Sequence, residues 1–533
     1  YINSNAQISQ QWATRYNEPN NYYEWGSQCA VDKLGNVYVT GWGYSGSDDT
    51  SYCCITLKYN SSGVQQWVVI YNGPAHDADQ GRGIALDSAG NVYVAGVATI
   101  SGTTYDVLLI KYNPNGVQQW LQTYNGNGNG DDWANSISLD ASGNIYLSGG
   151  TTRTGTGNDF LALKYNSSGV LQWVGTYNGT GNGSDYANAL AIDKFGNSYL
   201  TGTSKGTTLY GDYATVKFNS SGVLQWSARY NGPGNDLDQG SGICADTNGN
   251  VYMTGYTFGS GTATDITTIK YNSSGAQQWV QTYDGTAVNY DQAHGIALDS
   301  SGNIIVVGYS SGIGSNYDGI IIKYSPSGVQ QWVARYNGPA NGLDELSSVA
   351  IDKYNNIYVT GQTDVNNFVS WDYVTMKYNP EGAQQWLIRY NGPASSTDQA
   401  TYITLDGSNS VYVTGMSWGT TTTKWDIATV KYSQPTTITT LSNEIPDKFS
   451  LSQNYPNPFN PSTIINYQLT INSNVILKVY NNLGNEVEVL VNEKQNAGSY
   501  SVTFNGGNLP SGIYFYKLEA GEFKETKKMI LIK

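Results

Sequence analysis

Two histidines, His76 and His294, and four cysteines with no C-x-x-C spacing leave this chain of 533 residues with few of the ligands that hold structural zinc, which argues against a Cys/His metal site. A disulfide from Cys29 to Cys53 or Cys54 stays open on spacing alone. Charged side chains are 13% of the chain, about half of the roughly 25% usual in globular domains. No apolar run approaches the roughly 20 residues of a membrane-spanning helix. Neither an H-E-x-x-H pair nor a phosphate loop is present, and the chain reads as non-enzymatic. It opens at Tyr1 without a signal peptide, which reads as a mature product whose leader has been removed.

The formal charge of −14 is unevenly spread. Residues 434–533 hold 8 Lys and 8 Asp or Glu, so the whole excess lies on residues 1–433. A surface of that sign repels phosphate backbones, so nucleic acid is disfavoured as a partner and cations or neutral polymers are favoured.

What the chain has in abundance is tyrosine (44), glycine (62) and a tryptophan that recurs as Trp12, Trp67, Trp120, Trp173, Trp226, Trp279, Trp332 and Trp386, mostly in steps of 53 residues. A fixed period of that length is one supersecondary unit copied many times. In one copy, Gly83–Asp87 is a short apolar run and Val92–Gly96 alternates with period two. Asp106–Tyr112 reads as a third strand and Val117–Tyr124 as a fourth, with turn glycines between.

The GNVYVTG element at 35–41 and the Lys-Tyr strand end each occur eight times, the lysines at Lys58, Lys111, Lys164, Lys217, Lys270, Lys323, Lys377 and Lys431. The Trp strand also occurs eight times, but its first copy precedes every other element and none follows Lys431. The spacing therefore predicts an all-β fold: an eight-bladed β-propeller over residues 1–433, with the N-terminal strand completing the last blade. Residues 434–447 (QPTTITTLSNEIPD) read as a linker, and residues 448–533 as a small β-sandwich of six or seven short strands.

GNVYVTG (35–41), DYATVKFN (212–219) and SGVQQWVARYNGP (327–339) resemble the bacterial secreted β-propeller repeat family. That family is usually seven-bladed, so the count of eight rests on this sequence. NPFNP (457–461), VYNNLG (479–484) and GIY (512–514) resemble the C-terminal sorting domain of type IX secretion substrates. The resemblance implies that residues 448–533 contact the export machinery and that the protein is secreted, extracellular or attached to the outer cell surface. The lysines at 517, 524, 527, 528 and 533 suit an acidic partner, or simply a solvated strand edge.

Acidic residues form rings. Glu24, Asp79, Asp132, Asp185, Asp238, Asp291, Asp344 and Asp398 precede the first strand of each unit; Asp106, Asp159, Asp212, Asp265, Asp318, Asp372 and Asp426 open the third, where Cys53 stands in the first unit. Carboxylates paired on one face can hold calcium, with Asp79, Asp106, Asp132, Asp159, Asp238 and Asp265 as candidates. The alternative is that each Asp caps a turn once per blade. Asp32, Asp87, Asp140, Asp193, Asp246, Asp299, Asp352 and Asp406 end the first strand, where the spacing predicts a structural Asp–Lys pair in each blade.

Six tryptophans break the repeat: Trp25, Trp42, Trp133, Trp371, Trp418 and Trp425. All fall on the face of the acidic rings, five of them in blades seven, eight and one. Indoles beside carboxylates suit sugars, and these six are the candidate ligand-binding residues. The expected function is a non-enzymatic binding or adhesion protein for a glycan or surface polymer. The alternatives are a self-associating structural subunit of a surface layer or filament, and a carboxylate glycosidase or lyase.

Overall fold

The computed structural model describes residues 8–18, 22–44, 51–100, 104–207, 210–261, 263–287, 289–419, 424–433, 438–442, 445–506 and 509–532. Lys533 lies outside them. Every regular element among these residues is a strand, and none is a helix long and apolar enough to cross a membrane. The chain divides into two compact units. One holds Gln11–Leu405 and Val411–Lys431; the other holds Tyr432–Lys533 with Tyr1–Gln10 and Asp406–Ser410.

Strands up to residue 433 build eight four-stranded antiparallel sheets. The first runs Glu24–Val31, Val37–Tyr44, Tyr52–Tyr59, Gln65–Tyr71, and the next six repeat that order. The eighth is assembled from both ends of the chain: Ser9–Tyr16 pairs with Trp425–Ser433, followed by Val411–Trp418 and Asp398–Leu405. Second and third strands are Val-, Ile- and Tyr-rich and buried on both faces, whereas the fourth is largely open. The first strand of each sheet packs against its counterpart in the next. The Thr401 hydroxyl of sheet 8 donates to the Gly26 carbonyl of sheet 1 at 2.8 Å.

Two local devices recur. Each first strand carries a one-residue bulge, at Ser27, Arg82, Asn135, Asn188, Ser241, His294, Ser347 and Thr401. A bulge bends a strand and re-aims one side chain. It also presses the backbone onto the strand beside it, where a Cβ on Gly96 would collide with the Gln80 carbonyl oxygen. At the outer hairpin, Gly63 has φ +80° and lies against the Trp12 ring, while Trp12 Nε1 donates to the Ser61 carbonyl at 3.0 Å. The repeat tryptophan is thus a latch onto the next sheet.

The C-terminal unit is a sandwich of two four-stranded sheets. Its strands alternate, as in Ser462–Leu469, where every second residue is buried. The inward residues, among them Phe459, Tyr467, Leu477, Val502, Tyr516 and Met529, form one core. Residues 438–442, placed in the linker on composition, instead form a strand paired with Gly498–Asn505. The Thr-rich segment is β-branched and satisfies a sheet edge. The motif Asn457–Pro461 straps the final strand: Asn457 Oδ1 accepts from the Ile530 amide at 2.9 Å, and Phe459 exchanges backbone bonds with Ile530 and Ile532. Lys517, Lys524 and Lys527 pair with Glu519 or Glu525, so much of the basic end is neutralised locally.

Candidate functional site

The first acidic ring is fully buried. Asp79 Oδ2 accepts the Gly73 amide at 2.5 Å and Asp238 Oδ2 the Gly232 amide at 2.7 Å; Asp132, Asp185, Asp291, Asp344 and Asp398 do the same six residues back. These carboxylates are turn caps. Glu24 departs from the pattern. Its longer side chain is fully buried with no close donor on either oxygen among the described residues, and burial, with Asp426 and Glu18 adding repulsion that the Glu18 amide only partly relieves, pushes it up to about 9.

The two rings couple across sheets. Asp106 faces Asp132, Asp159 faces Asp185, Asp238 faces Asp212, and Asp372 faces Asp398. Burial first, and the facing charge second, raise Asp106 to about 6. Burial likewise raises Asp79, Asp238 and Asp372 to about 6. The calcium candidates therefore do not pair within a sheet, as Asp79 with Asp106, but with the next sheet. Among the described residues, the acidic group close enough to share an ion is Asp265, Asp284 and Asp291, with oxygens within 4.8 Å. Of the six candidates it contains only Asp265. Asp291 already accepts the Gly285 and Ser311 amides there.

Arginine neutralises part of the second ring. Arg229 bridges Asp212 at 2.8 Å and Arg335 bridges Asp318 at 3.0 Å, both from the fourth strand three residues after the repeat Trp. Arg15 does so for Asp426 from the N-terminal strand, at 2.7 Å. In these sheets a second-strand serine joins the ladder: Ser204, Ser310 and Ser417 each accept from the arginine. The same serines centre three G-x-S-x-G matches, at 202–206, 308–312 and 415–419. A nucleophile elbow needs a strand-to-helix turn. Here each serine lies within a strand and bonds an arginine.

Among the described residues, an expected Asp–Lys pair forms as an ion pair in sheet 6, while sheet 1 shows what intervenes elsewhere. Asp32 Oδ1 takes the Leu34 and Asn36 amides, and its Oδ2 takes the Asn36 side-chain amide and the Tyr38 hydroxyl. Lys58 lies 5.0 Å from the centroid of the Tyr38 ring and donates to the Pro114 carbonyl. The tyrosine intercepts both partners. Sheet 6 has Ile305 in that position, and there Lys323 reaches Asp299 at 3.2 Å, both ends buried.

Four of the six tryptophans meet. Trp25 and Trp42 stack at 5.6 Å and 8°; Trp425 stands edge-on to Trp25 at 5.6 Å and to Trp418 at 5.7 Å. Tyr23 touches Trp418 and Trp425, and Tyr52 meets Trp42. Lys424 lies 4.4 Å from the Tyr23 centroid. All four indoles are half-buried. Trp133 folds over Gly150 of its own sheet. Trp371 opens a strand opposite Asp364, its Nε1 buried without an acceptor. All four cysteines are free thiols, and Cys29, Cys53 and Cys54 are buried.

Sequence reasoning missed the bulge ring, where Arg82 and His294 replace the small polar residues of other copies. His294 Nδ1 lies 3.0 Å from Glu345. The available signal was a break in the repeat fifteen residues after the repeat Trp.

Residues 453–533 match the secretion system C-terminal sorting domain. Residues 66–102, 173–210, 225–261 and 331–368 match the beta-propeller repeat. The chain joins beta-propeller repeats to a type IX sorting domain. The sorting domain marks the protein for export to the cell surface or beyond. An uncharacterised WD repeat-containing protein of Acanthamoeba polyphaga mimivirus is 25% identical over 372 residues, 58% of this chain; the match spans 25% of that relative's length. Among solved structures, PorZ, a surface component of the type IX secretion system of Porphyromonas gingivalis, is 12% identical with a TM-score of 0.34, over 95% of this chain and 81% of that one. A fungal alcohol oxidase of the AA5 family is 13% identical with a TM-score of 0.42, over 99% and 100%.

Proposed function

We propose that the eight sheets are the blades of one closed ring, and that the exported protein is a non-enzymatic binding module that takes a glycan on its aromatic cluster. The observation that carries this is the convergence of Trp25 and Trp42 from sheet 1 with Trp418 and Trp425 from sheet 8. These residues interrupt the repeat, so the architecture does not require them. Indole rings offer apolar faces to the C–H faces of a sugar, and Tyr23 and Tyr52 add hydroxyls at the same place. The acidic surface favours a neutral polymer over an anionic one.

The test is retention of the intact chain on immobilised glycans with Trp42→Ala and Trp418→Ala together, alongside a circular dichroism check of the fold. Retention should vanish while the β signal stays. Retention equal to that of the native chain overturns the reading.

A further inference from the structure

Five of the six arginines in the chain serve an aspartate that opens a third strand. Arg15, Arg153, Arg229 and Arg335 form ion pairs with it, and the charge of Arg389 partly offsets the burial that raises Asp372. Arg82 is the sixth, and among the described residues no carboxylate pairs with its guanidinium. Its partners are neutral: Nη1 donates to Asn135 Oδ1 at 2.9 Å, while Nε and Nη2 donate to Gln80 Oε1 at 3.4 and 3.2 Å. Two N–H groups of the fork remain for another acceptor. Burial pulls this guanidinium below its ordinary value with only Tyr105 opposing, whereas aspartate and tyrosine partners together more than offset burial at Arg15, Arg229 and Arg335.

Arg82 opens onto a cavity of about 330 Å³ lined by first-strand residues from several sheets, including Ser27, Gln28, Asn135, Ser136 and Tyr402. No acid is among the residues lining it. The bulge at Arg82 aims the side chain here in place of the serine or asparagine found at Ser27, Asn135, Asn188, Ser241 and Ser347. A partly buried cation with only neutral neighbours is a costly arrangement unless an anion completes it. The planar fork matches a carboxylate through two parallel N–H bonds. We propose that this cavity binds the carboxylate of a small polar molecule, with Arg82 as its principal ligand and the amide and hydroxyl side chains around it holding the remainder.

Titration calorimetry on the full chain, at fixed ionic strength, tests this with sodium glucuronate, sodium acetate and glucose. Glucuronate should bind and glucose should not. Acetate binding as tightly as glucuronate identifies a simple acid as the ligand; glucuronate alone identifies an acidic sugar. Arg82→Gln should abolish binding. Gln80→Glu guards against a folding defect in that variant, because it keeps the acceptor for Arg82 and supplies an internal counter-ion. It should weaken glucuronate at least about tenfold with the melting temperature maintained. No heat from either acid with the native chain, or undiminished affinity in Gln80→Glu, overturns the proposal. The Trp42→Ala, Trp418→Ala chain should bind glucuronate normally, so this site and the aromatic one fail independently.

Discussion

Arg15 and Asp426 stand 411 residues apart in sequence and are joined by two hydrogen bonds to one oxygen, Nε to Oδ2 at 2.9 Å and Nη2 to Oδ2 at 2.7 Å. The same guanidinium reaches the Ser417 hydroxyl and carbonyl. Sheets 4 and 6 build this ladder within one repeat, with Arg229 and Arg335; sheet 8 needs both chain ends for it.

Replacing Arg15 with Ala should therefore cost more than a surface ion pair. Both side chains are largely buried, and Asp426 would be left without its cation, a loss of about 3 kcal/mol. Urea denaturation checks it; a change below about 1 kcal/mol, the range of exposed pairs, refutes a buried contribution from the Arg15–Asp426 pair.

Lys323 should matter more than its counterparts. Lys323→Met takes the cation from the buried Asp299, leaving it only its Ser301 and Asn303 donors, and should cost about 3 kcal/mol, whereas Lys377→Met, over Tyr358, loses a cation–π contact of about 1 kcal/mol. Ile305→Tyr should restore the Tyr–Asp bond and bring the Lys323→Met cost down to that of Lys377→Met. A double-mutant cycle by thermal denaturation measures the coupling, and additive effects count against it.

Acidification should stabilise the propeller. Carboxyls raised in the folded state contribute stability that is present below their unfolded values and lost as pH rises through the folded ones. Asp79, Asp106, Asp238 and Asp372 place one loss between about 4 and about 6, and Glu24 extends it to about 9. Asp87 and Asp140 are lowered by their Asn and Tyr hydrogen bonds and oppose this only below the ordinary carboxylate range. The melting temperature should rise from pH 9 to pH 5, and Glu24→Gln should melt higher than the native chain at pH 9 but not at pH 4. Equal shifts at both pH values would exclude Glu24 as the source.

Gly116→Ala and Gly90→Ala separate strain from contact. Both glycines have φ +80°, so alanine meets the same left-handed penalty of about 1 kcal/mol. A Cβ at Gly116 would come 2.8 Å from the Trp67 ring, whereas at Gly90 its nearest neighbour is Pro114 at 3.5 Å. The Gly116 variant should lose about 1 kcal/mol more; equal losses by urea denaturation would mean that Trp67 yields freely.

The four-strand unit and the spare N-terminal Trp strand were legible because turn glycines and alternating β-branched residues recur at one spacing. The gathering of Trp25, Trp42, Trp418 and Trp425 follows from the same alignment. Other relationships were hidden for physical reasons. Asp106 lies nearly as many residues from Asp79 as from Asp132, so spacing alone cannot choose its partner. Asp32 and Lys58 end the first and third strands of one sheet, and Tyr38 on the strand between them satisfies one with its hydroxyl and the other with its ring. Arg82 sits on a bulge, where the added residue breaks the alternation by which inward and outward positions are counted.

A last sheet that borrows its fourth strand from the far end of the chain must wait for the whole repeat to be made before it can be finished. Until then the edge at Trp425–Ser433 offers its backbone to any matching strand, and every molecule carries one such strand at Ser9–Tyr16. A second copy of the chain offers the same backbone and side chains at Ser9–Tyr16 as the molecule's own strand does. Exchange of that single strand would link molecules end to end without any new surface, and because Arg15 travels with the strand, its bond to Asp426 rewards completion from either source alike.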